Sequence, residues 1–430
     1  MTDPNNKKSD YKKTKIGLIP DDWDCVHLED AAKVVLSNVD KKMYEGQKPA
    51  LLCNYTDVYY NKYITKTIDF MKATASEREF ERFSLLQDDV VITKDSEDRN
   101  DIAVSALVTE KLANVLCGYH LAIIRPNPAK LRGAFFNKYL ELHPVKHYFS
   151  TLANGVTRFG LTDQSIRRSL VFLPPLHEQK KIADILGEWD SAIFETEKLI
   201  SLKKKLKKAL CQQLLTGKHR FKGFKKPWKE YRLSDIVKIV ERPVEWDEDK
   251  LYRLASVRRW SGGMFIREER NGHQIKVKKL RTIKEGDFLI SHIQSAYGSM
   301  ALVSREFDGM YISELYTVLL PKNPDDFDIR YLAYMSQDKY MWHLAYLASN
   351  GFFAERLRLN FNPEDFLKHK IKIPADIKEQ GMIIEILNSI SNKIALLDQK
   401  LELLKQQKRG LMQKLLTGKI RVRILKKRKT

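Results

Sequence analysis

Six polar and aromatic stretches carry the residue types that could do chemistry. "NYTDVYYNKYITK" (54–66), "TKDSEDRND" (93–101) and "ANGVTRFGLT" (153–162) fall in the first half of the chain. "SVRRWSGGMFIREER" (256–270), "SHIQSAYGS" (291–299) and "SNGFFAERLRLNFN" (349–362) fall in the second. Arg, Asn, Gln and His are the side chains that read base edges in a DNA groove. Basic residues interleaved with aromatics also occur at protein–protein patches, so an adaptor surface is the rival reading. The DNA-contact candidates are Asn54, Tyr55, Tyr59, Tyr60, Lys94, Arg99, Asn154 and Arg158, then Arg258, Arg259, Trp260, His292, Gln294, Tyr297, Asn350, Arg356 and Arg358. Arg258 and Arg259 are favoured over Arg267 and Arg270 because they follow directly on an expected strand.

Signs of catalysis are sparse. The chain has no G-x-x-x-x-G-K-[ST] phosphate loop and no N-P-P-[FYW] or D-P-P-[FYW] amino-methyltransferase motif. Ten histidines are scattered without metal-ligand spacing, and the four cysteines (Cys25, Cys53, Cys117, Cys211) form no C-x-x-C pair. Glu178-Gln179-Lys180 spells the E-x-K of a metal nuclease, but it opens a helix, where a glutamate suits the positive end of the dipole. The second copy reads Glu379-Gln380-Gly381 and lacks the lysine. No catalytic residue and no metal ligand is therefore assigned.

Charge points to a polyanionic partner. The 76 Lys and Arg outnumber the 55 Asp and Glu, giving a net charge of +21. The excess clusters in "KKKLKK" (203–208), "KHRFKGFKK" (218–226) and the terminal "KIRVRILKKRKT". A hydrophobic content of 43% suffices for packed cores. The uncharged run worth checking, 340–354, is shorter than the roughly 20 residues of a membrane span. It reads as a core helix ending at Asn350-Gly351. No secretory signal is visible, so the expected compartment is the cytoplasm, with no membrane partner.

The elements that position these stretches are written twice. "LLTGK" occurs at Leu214 and again at Leu415, 415 − 214 = 201 residues later, and Glu178-Gln179 repeats as Glu379-Gln380 at the same offset. Upstream, "IPDDWDCVHLEDAAKVV" (19–35) is matched by "KKPWKEYRLSDIVKIV" (225–240), and "LQDDVVIT" by "KEGDFLIS". A period near 200 residues is a domain-scale duplication.

Between Glu178 and Gly217, and between Glu379 and Gly418, apolar residues alternate at three and four, the pattern of a coiled-coil seam. Leu206 and Leu404 are among the expected seam residues. Thr196, Lys203, Gln407 and Lys408 interrupt it, as register-setting positions. Proline precedes each helix and glycine follows it. Each helix should run about 38 residues and pack against the other, antiparallel, with the lobes at opposite ends of a stiff rod. The lobes mix strands such as "DVVIT", "LAIIRP", "YRLASV", "DFLISHI" and "LYTVLLP" with helical stretches such as "FFNKYLELHPVKHYFSTLA" and "IRYLAYMSQDKYMWHLAYLA". The expected fold class is α+β: two similar α/β lobes joined by two long antiparallel helices in a pseudo-twofold repeat. The expected divisions are 1–172, first lobe; 173–217, first helix; 218–373, second lobe; 374–418, second helix; and 419–430, a basic tail.

"GLIPDDW" and "LPPLHEQKKIADIL…LLTGK" with its second copy resemble the specificity subunit of type I restriction–modification enzymes. The resemblance covers nearly the whole chain and is strongest in the repeated segments. It implies two target-recognition domains, each reading one half of a split, asymmetric site in double-stranded DNA. It implies helices that measure the unread spacer and dock modification (methyltransferase) subunits, two of them expected. The family's subunit has no catalysis and no cofactor of its own. Adenine methylation from S-adenosylmethionine belongs to the modification subunits, and ATP- and Mg-dependent translocation and cleavage to restriction subunits. The alternatives are a stand-alone DNA-binding or coiled-coil adaptor protein and, behind it, a metal-dependent nuclease. One departure stands out. "IPADIKEQ" has one residue more than "LPPLHEQ", which is expected to reset the start of the second helix. The tail "LLTGKIRVRILKKRKT" parallels "LLTGKHRFKGFKKPW", so the end of the chain is expected near its beginning.

Overall fold

The structure is a computed structural model that describes residues 11–350 and 360–422. The chain divides into two compact units, Met1–Glu197 with Lys400–Thr430, and Lys198–Gln399. Each takes one end of each long helix.

In the first unit a five-stranded sheet runs in the order Ala32–Leu36, Leu121–Pro126, Val90–Thr93, Ser105–Val108, Tyr63–Ile64. Its strands alternate between two cores, as period-two side chains must. Val90, Ile92, Ala122 and Ile124 face a core shared with the helices Gly133–Leu140 and His143–Leu152. Val91, Leu121 and Ile123 face a second core against the sheet of Val115–Cys117, Lys48–Cys53 and Met71–Ala75. The second unit repeats the plan. Val237–Ile239, Tyr316–Pro321, Phe288–Ser291 and Met300–Leu302 follow one another in the equivalent order, with Phe288 and Ile290 on one face and Leu289 and Val318 on the other. The α+β class and the internal repeat follow from this.

The long helices are Leu176–Leu214 and Ile377–Leu415, 39 residues each. Their bounds differ by the repeat offset at both ends, so the extra residue before the second does not reset its start. It is absorbed upstream. The amides of Glu178 and Gln179 donate to Pro175 O, and those of Glu379 and Gln380 donate to Asp376 O. Gln179 Nε2 donates to Pro174 O (2.8 Å) and Gln380 Nε2 to Pro374 O (3.0 Å), one residue further back.

Within the first unit, Asp190 pairs with Lys408 and Glu197 with Lys405, so the two helix segments run antiparallel. Ile182 and Leu186 pack with Met412, Leu415 and Leu416 there. In the second unit Leu214 and Leu215 pack with Ile383, Ile384 and Leu387. Leu206, expected in the seam, is exposed, and its neighbour Lys207 is the half-buried one.

The repeated Leu-Leu-Thr-Gly-Lys is a helix terminator. Both leucines of each copy are buried, and the threonine hydroxyl donates back to Gln212 O or Gln413 O (2.6 Å each). Gly217 and Gly418 both have φ +71°, the left-handed conformation that glycine adopts at no steric cost. A Cβ on Gly217 would also press on the Trp228 ring, and one on Gly418 would clash with Pro20. Tyr11 Oη donates to Gly418 O (3.2 Å), which brings the first described strand against the end of the second long helix in the first unit, as expected.

Three readings need correction. Each lobe's helical stretch is two helices. In the first lobe Pro144 lies in the first turn of His143–Leu152, where a proline cannot continue a preceding helix. In the second, Asp338 caps a new start by accepting from Tyr340 N. The run 340–354 lies on the helix Lys339–Leu347, which stops before Asn350. Ser349–Asn350 pairs as strand with Asn360–Phe361, and 351–354 fall outside the described residues. Finally, 256–270 is mostly hairpin: Leu251–Val257 pairs with Met264–Asn271, leaving 258–263 as the loop.

Candidate nucleic-acid interface

In each unit three stretches distant in sequence converge. In the first, Asn54 opens the helix Tyr55–Tyr59, its amide donating to Asp57 Oδ2 (2.7 Å). Tyr55 and Tyr59 stack with ring centroids 5.5 Å apart, and Tyr60 stands edge-on to Tyr59 and 77% exposed. The Tyr59 hydroxyl donates to Asp101, which pushes its pKa up to about 12. That bond ties the first stretch to the second. The third joins where Phe159–Gly160 pairs with Asp95–Ser96.

Arg99 is engaged internally. Its guanidinium donates to Ser150 O (3.0 Å) and Ala153 O (3.2 Å) and lies 5.9 Å from the Phe159 ring. Lys94 Nζ donates to Ser37 O (3.2 Å). Arg158 is exposed and reaches Asp95 Oδ1 (3.2 Å), beside His120, which also meets Asp95. Asn154 is exposed, with its backbone bridged to Gly160.

In the second unit the amide of Trp260 donates to Tyr297 O (2.7 Å) and that of Ser261 to Gly298 O (3.0 Å), locking the 258–263 loop onto the 291–299 stretch. Trp260 and Ser261 hold φ of 58° and 51°. Left-handed backbone at a bulky residue costs of order 1–3 kcal/mol, and here the two backbone bonds hold it. Trp260 remains 61% exposed, edge-on to Tyr297 and 5.4 Å from Trp342. Arg258 lies over Phe265 (4.5 Å) and donates to Met264 O (3.2 Å), and Arg259 lies over Tyr297 (5.3 Å). Among the described residues neither arginine has a carboxylate partner, whereas Arg267 and Arg270 both pair with Glu268.

Gln294 is half-buried, its carbonyl accepting from Tyr297 N and Ser299 N. His292 is also half-buried. Its Nε2 meets Thr317 Oγ1 (2.8 Å), and burial, with Arg281 nearby, lowers its pKa. The third stretch arrives through Phe361 N donating to His292 O (3.1 Å). Of Asn350 only the backbone is described, and Arg356 and Arg358 lie outside the described residues.

Sequence reasoning missed Trp342. It completes an aromatic cluster with Trp260 and Tyr297, and its Nε1 donates to Ser336 O (2.7 Å). The structure shows the fit at Gly298, φ +69°, where a Cβ would overlap the Trp342 indole, and nothing in the sequence pairs these two positions.

Glu178 of the E-x-K string and its repeat counterpart Glu379 are structural anchors. Glu178 is buried and receives Arg421, whose guanidinium also grips Asp22 through both oxygens (2.8 and 2.7 Å). Glu379 is buried in the same way, receiving Arg220 (2.9 and 2.7 Å) and Trp228 Nε1 (3.3 Å). Among the described residues no group of three His, Cys, Asp or Glu side chains could hold a metal ion, and no helix is long and apolar enough to cross a membrane.

A family model described as "Type I restriction modification DNA specificity domain" matches residues 20–208 and again 225–406. Two proteins of Methanocaldococcus jannaschii are similar over nearly their whole length. The putative type I restriction enzyme MjaX specificity subunit is 24% identical, covering 97% of this chain and 98% of that one. The type I restriction enzyme MjaVIII specificity subunit is 25% identical with the same coverage. Among solved structures, the S subunit of a type I restriction-modification system from M. genitalium superposes with a TM-score of 0.57 at 13% identity, covering 91% of this chain and 96% of that one. A structure from a study of type I R-M complex assembly reaches 0.50 at 15%, covering 94% and 99%. The fold is thus shared, and the twofold match of the family model repeats the duplication seen within the chain. This chain belongs to the type I restriction–modification DNA specificity family.

Proposed function

We propose that the chain is the DNA sequence-recognition subunit of a type I restriction–modification assembly, working in the cytoplasm with two modification subunits and with restriction subunits. Each unit reads one half of a split, asymmetric site in double-stranded DNA, and the long helices fix the spacer between half-sites and dock the modification subunits. Methyl transfer from S-adenosylmethionine and ATP- and Mg-dependent cleavage belong to the partners.

One observation carries the reading. Two copies of one scaffold present different side chains in corresponding stretches: Tyr55, Tyr59 and Tyr60 in one, Arg258, Arg259 and Trp260 in the other. A repeat conserved in frame and divergent in loops suits a reader of two unrelated half-sites. Arg258 and Arg259 are poised for bidentate contact with guanine, with the exposed Trp260 beside them, and the exposed Tyr60 offers the first unit an aromatic contact at its own half-site.

The test is co-expression with candidate modification subunits, purification of the complex, and mapping of methylated adenines in DNA exposed to it. The expected result is methylation within one bipartite motif. A chain that binds protein but imposes no sequence on methylation is an adaptor, and one that cuts DNA alone with a divalent metal is a nuclease.

A further inference from the structure

The seam of the long helices holds a lysine at one repeat position in both units, and its surroundings differ. In the first unit it is Lys408, buried, with Asp190 Oδ1 and Glu141 Oε2 each 2.8 Å from its ammonium. Lys138 and Lys62 share the same two acids.

In the second unit the lysine is Lys207, and the acids are gone. Ser391 stands 201 residues after Asp190. The lobe helices can be aligned at Arg132 and Asp328, whose amides both donate to the repeated glutamine (2.9 and 3.0 Å). Counting from there, Gln337 replaces Glu141 and Tyr334 replaces Lys138. The Tyr334 hydroxyl donates to Asn388 Oδ1 (2.5 Å), and the Lys207 ammonium lies 5.6 Å from the Tyr334 ring centre.

Among the described residues Lys207 has no carboxylate partner, and burial pushes its pKa down. Beside it opens a cleft of about 590 Å³, walled also by Lys204, Lys208 and Lys372 and by the apolar Met335. The one acid among the lining residues, Asp338, is already accepting from Tyr340 N (2.8 Å).

We propose that this cleft receives an Asp or Glu side chain from a modification subunit, which takes at Lys207 the place that Asp190 and Glu141 fill at Lys408. The inference rests on the proposed function. The repeat argues for a carboxylate, because the same chain fills the equivalent position with two of them. The cleft is cationic in excess, and its apolar walls suit a protein side chain better than a solvated phosphodiester. Among the described residues, the second unit leaves this lysine without an acid and the first does not, so the partner held there is held by a contact that the first unit does not offer.

The test uses the purified assembly and a zero-length carbodiimide, which joins an amine to a carboxylate it touches, followed by peptide mass spectrometry. The expected product links Lys207 to an Asp or Glu of a modification subunit. Ser391→Asp, which supplies the acid from within, should abolish that link. Lys207→Met should weaken association with the modification subunit by roughly tenfold or more. Lys405→Met, which removes only the surface pair with Glu197, should leave it unchanged.

Lys207 linked solely within its own chain, with Ser391→Asp and Lys207→Met both assembling as wild type, overturns the proposal. So does protection of Lys207 from acetylation by DNA alone, which would make a phosphate the occupant. Failure of any modification subunit to assemble removes the functional reading itself, and the proposal with it.

Discussion

The ends and the middles of the two long helices have diverged to different degrees. At the ends the repeated pairs are kept: Glu178 with Arg421 and Glu379 with Arg220, Gln179 and Gln380 each bridging a proline carbonyl and the start of a lobe helix. In the middle, Asp190 and Lys408 face Lys138 and Glu141 in the first unit, where the second has Ser391, Lys207, Tyr334 and Gln337. A buried glutamate at a helix start would be stranded without its arginine, so that pair cannot drift alone. A polar cluster can lose both signs of charge together at little cost. The scaffold is therefore fixed where lobe meets helix, and free to differ between units further along.

The largest effect expected from breaking this asymmetry is at Asp190. Asp190→Ala leaves Lys62, Lys138 and Lys408 with Glu141 alone, and loss of one partner of a buried ion pair costs about 3–5 kcal/mol. Ser391→Ala at the repeat position should cost under about 1 kcal/mol, since it removes one hydroxyl that bonds to its own helix. Chemical denaturation of both variants measures the contrast. Equal losses would mean that the cluster contributes nothing beyond its packing.

Acid should separate the units in the same way. Burial opposes the charged form of Asp190, but Lys138, Lys408 and Lys62 outweigh it and hold the carboxyl well below its usual range; Glu141 is also lowered. The stability these acids contribute is fully present above the ordinary carboxylate range, near 4, and is lost as pH falls through their lower folded values. Lys138 is raised by Glu141, Tyr63 and Asp190, so its contribution is present below about 10.4 and lost as pH rises through its higher folded value. Hydrogen exchange across pH 2–5 should show the first unit losing more protection than the second. Parallel loss in both would assign acid lability elsewhere.

Smaller effects come from the shared clasp. Glu178→Ala removes the buried partner of Arg421 and should lower the stability of the first unit by about 2–3 kcal/mol. Glu379→Ala should act in the same direction on the second unit. Proteolysis after Lys414 or Lys419 in the first variant would report release of the clasp. Unchanged cleavage would argue against it.

The smallest is at the loops, where no folding energy is at stake. Arg258→Ala should weaken binding to specific DNA by about 1–3 kcal/mol if its guanidinium reads a guanine, with thermal stability unchanged. Arg267→Ala, which releases only Glu268, should weaken it less. Titration of both variants against a methylation-defined duplex decides the order.

What could be read from sequence was whatever repeats or alternates. The three-and-four spacing placed both long helices to within a few residues, because a 39-residue amphipathic stripe outweighs local noise. The strands Val90–Thr93 and Leu121–Pro126 were legible as unbroken apolar runs between two cores. The hairpin strand Met264–Asn271 was not, because none of its side chains is fully buried and its charged residues pair across or along the sheet. The same limit applies to the candidate site. Sequence supplied the three stretches of each unit but not their convergence, which depends on backbone bonds such as Trp260 N to Tyr297 O. Lys207 was hidden in the run "KKKLKK", where nothing local distinguishes the one lysine that faces Tyr334 from its solvated neighbours.

The central claim is that one frame, written twice, carries two independent readers. Its most direct test is methylated-adenine mapping with the wild-type assembly and with one in which residues 258–263 are replaced by an unrelated loop of equal length. The account predicts a bipartite motif in which one half-site changes and the other, with the spacer, stays the same. A motif changed in both halves, or in neither, by a variant that folds and assembles would contradict it.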